Sequence, residues 1–79
     1  MKLKVISPDA VVFEGDVVSV TLPGTLGSFT VLNNHASIIS TLVEGEMSYK
    51  TGENVEEQRL HIDGGIADVD NNVVSVCLY

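Results

Sequence analysis

Apolar and polar residues alternate along most of this chain with a spacing of two. Leu3 and Val5 are flanked by Lys2 and Lys4, and Val18, Val20 and Leu22 are separated by Ser19 and Thr21. Met47 and Tyr49 stand among Glu46, Ser48 and Lys50, and Leu60 and Ile62 among Arg59, His61 and Asp63. Val74, Val76 and Leu78 alternate with Ser75 and Cys77. Successive side chains of a strand point to opposite sides, so each set lays one apolar stripe along a single face. A helix would repeat its apolar positions at three and four, and no convincing stretch does so. Val, Ile and Thr dominate the runs, and their branched Cβ atoms suit a pleated surface.

Turn residues punctuate the runs at short intervals. They are Pro8-Asp9, Glu14-Gly15-Asp16, Pro23-Gly24, Asn33-Asn34, Glu44-Gly45, Thr51-Gly52-Glu53-Asn54, Gly64-Gly65 and Asp70-Asn71-Asn72. Gly, Asn and Asp supply the positive φ angles that tight hairpins need. Many short strands between such turns predict an all-β sandwich or barrel, and single-faced alternation predicts antiparallel pairing with one wet side. The segment from Ser37 to Val43 reads either as a buried strand or as one helical turn. No linker, low-complexity tract or repeat divides the chain, so residues 1–79 are expected to form a single domain.

Composition narrows the functions. The 79 residues are 44% hydrophobic, too apolar for a chain kept disordered by charge. Eleven acidic against four basic side chains leave a net charge of −7. That balance argues against nucleic acid and against electrostatic docking on anionic lipid, since both need Lys and Arg. No apolar run approaches the roughly 20 residues that span a bilayer, and Pro8 interrupts the N-terminus before a signal-peptide core develops. A small soluble domain is expected. Cys77 is the only cysteine, which excludes an intrachain disulfide, and its strand pattern reads as a small core residue in a reducing compartment.

Candidate chemistry is sparse. His35 and His61 are the only imidazoles, and His61 sits on the polar face of its run beside Arg59 and Asp63. No His-x-x-x-His or His-Glu pair seeds a zinc site, and no serine lies in a Gly-x-Ser-x-Gly elbow. Gly24-Thr25-Leu26-Gly27 resembles a phosphate loop only superficially, because no Gly-Lys-Ser/Thr and no helix follow. Glu53, Glu56 and Glu57 read as a solvated turn. Neither a catalytic set, a metal site nor a bound cofactor is expected. The stretch from Leu22 to Leu42 has two readings. It is a tight β-corner in which Pro23-Gly24 turns the chain and His35 caps backbone groups, or a docking edge carrying Phe29 and His35.

An acidic β-sandwich of this size also fits a lipoyl or biotinyl carrier domain, which needs a lysine at a hairpin tip. Lys50 is the only candidate; it precedes Thr51-Gly52, and its neighbours match neither a Met-Lys-Met nor an Asp-Lys-Ala signature. A ligand-binding sandwich is disfavoured by two Phe, two Tyr and no Trp, which leave little to line a pocket.

A longer set of motifs resembles the N-terminal domain of the epsilon subunit of bacterial F-type ATP synthases, the counterpart of mitochondrial delta. The family's opening strand ends in Ser-Pro, here Ser7-Pro8, and its Phe-x-Gly turn is Phe13-Glu14-Gly15. Leu22-Pro23-Gly24 follows, and then Gly27-Ser28-Phe29-Thr30-Val31-Leu32 stands for the family's Gly-x-hydrophobic run. The family's Pro-Gly-His-Ala-Pro appears as Asn33-Asn34-His35-Ala36-Ser37, which keeps only His-Ala. Leu42-Val43-Glu44-Gly45, Gly64 to Val69, and Asn72 to Val76 match the remaining motifs in order.

The resemblance implies a flattened antiparallel β-sandwich of about ten short strands. It implies a non-catalytic rotor subunit in the central stalk, bound to the gamma subunit and seated on the c-ring, coupling proton-driven rotation to ATP synthesis. The implied location is the cytoplasmic face of the bacterial inner membrane, reached through the complex. Carried over residue by residue, the ring-facing loop implies Ser28, Phe29, Asn33, Asn34 and His35. Family members often carry an acidic residue where Ser28 stands, and Asn33-Asn34 replaces a rigid Pro-Gly. Members usually continue into a two-helix hairpin that inhibits hydrolysis or binds ATP. If the 79 residues are the native product, the resemblance implies coupling only. The net charge further predicts that binding to gamma and the ring weakens with added salt.

Overall fold

The computed structural model describes residues Met1–Tyr79. Nine strands account for the regular structure: β1 (Lys2–Ile6), β2 (Val11–Asp16), β3 (Ser19–Gly24), β4 (Gly27–Leu32), β5 (Ile38–Leu42), β6 (Gly45–Lys50), β7 (Gln58–Ile62), β8 (Gly65–Asp70) and β9 (Val73–Leu78). They form one continuous sheet in the order β2-β1-β9-β8-β5-β3-β6-β7, with β4 paired to the outer side of β3. The sheet folds over on itself, so that β2-β1-β9-β8-β5 faces β4-β3-β6-β7. The expected all-β sandwich is present. Its pairs are antiparallel except β1 with β9, which run parallel.

The alternating stripes become the core. Leu3, Val5, Val20, Leu22, Met47, Ile62, Val74 and Val76 are buried, joined by Val17, Val31, Leu42, Ala67 and Val69 from runs whose alternation is less regular. Both layers contribute to this one cluster, which is what holds the fold together. Phe13, Phe29, Tyr49, Leu60 and Leu78 pack partly buried around it.

Several expectations are corrected. Ser37–Val43 contains strand β5, not a helical turn, and only Leu42 within that strand is buried. Glu14-Gly15-Asp16 is not a turn: it is the end of β2, and Gly15 lies under the Phe13 ring, 3.2 Å from Phe13 Cζ to where a Cβ would stand. Pro23-Gly24 likewise ends β3, and the chain reverses one step later at Thr25–Leu26. Pro23 is tolerated in an inner strand because the neighbouring line bends there. The pairing slips between Thr21↔Ser48 and Gly24↔Leu42, and only the Pro23 carbonyl is used, accepting from Val43 N at 2.9 Å. Cys77 is exposed rather than a core residue. The alternation that buries Val74 and Val76 turns Cys77 to the opposite, wet face.

The hairpins use the turn chemistry their residues favour. Asn71 and Asn72 have φ values of 50° and 62°, the left-handed pair of a two-residue type I′ turn between β8 and β9. Asn34 has φ 61°, and His35 N donates to Leu32 O at 3.2 Å, closing a turn around Asn33-Asn34. Asn is the residue besides Gly that visits this region readily. No helix of the structure is long and apolar enough to cross a membrane.

Candidate interaction surface

Strand β4 is an edge. It pairs only with β3, and the start of the strand lies across a groove from β5. Thr25 ties the hairpin tip to β5: its N–H donates to Thr41 O at 3.0 Å, and the two hydroxyls lie 2.6 Å apart. The chain therefore curls over β5 and leaves a groove of about 430 Å³, walled by Gly24–Phe29 and Ile38–Thr41. Its apolar lining is Leu26, Phe29, Ile38 and Ile39. Leu26 at the tip is 104% exposed and Ile39 is 74% exposed. Such side chains clustered on one flank are what a partner covers.

Phe29 is held in place by its neighbours. A Cβ on Gly24 would stand 2.8 Å from Phe29 Cε1 and 2.8 Å from the Gly27 carbonyl, so only glycine fits beneath the ring. Ser28 is exposed on the same groove. Asn33, Asn34 and His35 are also exposed but lie at the opposite end of β4, in the loop leading to Ile38. A six-residue strand is roughly 20 Å long, so the five implied residues form a band along the flank and not one cluster. His35 Nδ1–H donates to the carbonyl of the next residue, Ala36, at 2.7 Å, which sets the ring's tautomer and caps one backbone group.

The strands of this flank carry no charge of their own. The run from Val17 to Val43, which contains β3, β4 and β5, holds none of the chain's 4 basic or 11 acidic residues. Asp68 and Asp70 on β8 border it beside Ile38 and Ile39, and a second charged group lies on β6 and β7. Arg59 on the edge strand β7 lies 3.6 Å from both Glu46 and Glu57. His61 Nε2 lies 3.4 Å from Glu44 and 3.7 Å from Asp63, all of them exposed. Such surface pairs add little stability, but charged side chains along β7 discourage pairing of that edge with another chain.

Leu26, Ile38 and Ile39 were not singled out by the sequence reading. The signals were there: an apolar residue at a hairpin tip, and two consecutive isoleucines where alternation would place a polar one. Lys50, the carrier candidate, is half-buried at the end of β6, and its Nζ donates to Glu53 O at 3.3 Å. It ends the strand and does not occupy the tip of the loop to β7, where a carrier domain holds its lysine.

Known proteins resemble this chain over nearly its whole length. Residues 1–78 match the family described as ATP synthase, Delta/Epsilon chain, beta-sandwich domain. The chain is 34% identical over 76 residues to the ATP synthase epsilon chain of Leptospira borgpetersenii, covering 96% of this chain and 58% of that one. It is 37% identical over 76 residues to the ATP synthase epsilon chain of Synechocystis, covering 96% and 54% respectively. It thus spans little more than half the length of these relatives. The fold matches a chain in the Euglena gracilis mitochondrial ATP synthase (OSCP/F1/c-ring) with a TM-score of 0.88 at 23% identity, over 96% of this chain and 48% of that one. It also matches a chain in the Tetrahymena thermophila mitochondrial ATP synthase central stalk and c-ring, with a TM-score of 0.81 at 20% identity, over 99% and 62%. With a family match across nearly all of its residues and that family's sandwich as its fold, this chain belongs to the delta/epsilon family of ATP synthase subunits as its β-sandwich domain.

Proposed function

We propose that this chain is the sandwich of a non-catalytic central-stalk subunit in a bacterial F-type ATP synthase. Residues 1–79 act as one rigid unit that binds gamma, rests on the c-ring, and passes ring rotation to the catalytic head. The observation that carries this reading is the apolar groove between the β3–β4 tip and β5, where Leu26 and Ile39 are open to solvent beside the half-buried Phe29. A specific interface covers about 800 Å² per partner, a large share of this molecule's 4725 Å². The groove alone is too small for that. Contact extends along β4 from Leu26, Ser28 and Phe29 to Asn33, Asn34 and His35.

A role through shape suits this fold. Torque passes through rigid packed layers, and a sandwich with one continuous sheet and a common core supplies them. The subunit is peripheral to the membrane on its cytoplasmic face, held there by its partners. A pull-down of the tagged chain from native membranes, followed by identification of the co-purifying chains, tests the reading. Recovery of gamma and c subunits supports it. Recovery of acyltransferase components, or of neither stalk nor ring chains, overturns it.

A further inference from the structure

Asn72 occupies a position that its own turn does not require to be asparagine. It is the second central residue of the β8–β9 hairpin, with φ 62°, where glycine would meet the backbone demand with less strain. What asparagine adds is an acceptor. Asn72 Oδ1 receives the backbone N–H of Asn34 at 2.8 Å, across 38 residues of sequence. A second bond runs in parallel: Ser37 Oγ donates to Asp70 Oδ1 at 2.6 Å. The two bonds fasten both ends of the Asn34–Ser37 segment, with His35 and Ala36 between them, to one hairpin. Asn72 is half-buried, and its carbonyl accepts from Lys2 N at 3.1 Å, so the anchor is itself fixed to β1.

The loop needs such an anchor. Its Asn33-Asn34 turn lacks the ring of a proline to restrict φ, and the loop residues from Asn33 to Ser37 are all exposed. We propose that Asn72 and Asp70 are positioning residues that clasp the Asn33–Ser37 loop in the geometry in which His35 meets the ring. This rests on the ring-docking reading above. The clasp replaces local stiffness with a long-range tether: a loop held at two points loses less freedom when it docks than a free one.

Asn72→Gly tests the clasp, because glycine keeps the left-handed turn and removes only the side-chain acceptor. Asn72→Asp keeps an acceptor oxygen and serves as the rescue. Amide hydrogen exchange is read at Asn34 and at Lys2, whose acceptor is the backbone carbonyl and survives both substitutions. Affinity for the purified c-ring of the same organism is measured alongside. In Asn72→Gly, Asn34 exchange is expected to rise roughly fivefold with Lys2 unchanged, and ring affinity to fall by a similar factor. Asn72→Asp is expected to restore both. Unchanged Asn34 exchange in Asn72→Gly overturns the clasp. Faster exchange at Asn34 with unchanged ring affinity overturns the positioning role. Failure of the wild-type chain to bind the ring overturns the docking reading and the positioning role with it, while the exchange data still report whether the tether exists.

Discussion

The Phe13 ring packs on Tyr49 with centroids 4.4 Å apart and planes inclined by 37°, joining β2 of one layer to β6 of the other. Both rings are half-buried and lie beside the core. Phe13→Ala removes the contact and uncovers Gly15, and is expected to cost about 2 kcal/mol, below the range for a fully buried ring. Urea unfolding of variant and wild type measures the loss. A cost under about 0.5 kcal/mol, within the range of an ordinary surface change, would show that the layers close without this pair.

Gly65 starts β8 against β9 so closely that a Cβ would stand 2.3 Å from the Cys77 carbonyl oxygen. Backbone cannot yield as a flexible side chain can. Gly65→Ala is expected to destabilise by about 3 kcal/mol or more, lowering Tm by at least ~12 °C in a domain of this size. Gly15→Ala, which meets only the far end of the Phe13 side chain, is expected to cost under about 1 kcal/mol. Melting curves of the two variants check the contrast, and equal losses would contradict it.

These glycines also show which parts of the fold were legible in the sequence. Strands β1, β3, β6, β7 and β9 were visible because one face of each is buried, and burial writes a period of two into the chain. Strand β5 was ambiguous because Ile38 and Ile39 are both exposed, so neither marks an inner face. Gly15 and Gly24 read as turns because glycine signals turns. Here each makes room for an aromatic ring, Phe13 over Gly15 and Phe29 over Gly24, and no local pattern separates the two uses. The β4–β5 loop was placed by motif resemblance. Its tether to Asn72 and Asp70 was not foreseen, because it joins residues that only the fold brings together.

The docking band predicts a separation of binding from stability. Phe29→Ala is expected to weaken c-ring affinity about tenfold, as truncation of an interface aromatic does. His35→Ala is expected to weaken it less, and to leave Tm nearly unchanged, since the exposed ring bonds only to the adjacent Ala36 carbonyl. Proton-driven ATP synthesis in membranes carrying His35→Ala measures the functional loss. Rates equal to wild type would contradict the role of this residue.

The placement of charge refines the salt dependence expected from composition. The acidic residues lie outside the Val17–Val43 run, and only Asp68 and Asp70 border its β5 side, so salt is expected to act more on association, through lost steering, than on the ring contact itself. Association rates that fall between 50 mM and 500 mM salt, with dissociation rates changed less than about twofold, would agree. A dissociation rate rising steeply with salt would place charged groups inside the contact.

Site-specific photo-crosslinking in native membranes tests the central assignment most directly. A photoreactive residue is placed at Leu26 on the β3–β4 tip, at His35 in the clasped loop, or at Gln58 on β7, which β3 and β6 separate from β4. Crosslinks to the c subunit from Leu26 and His35 but not from Gln58 are expected. Crosslinks to the ring from Gln58 alone would contradict the placement of the docking surface on the β4–β5 flank.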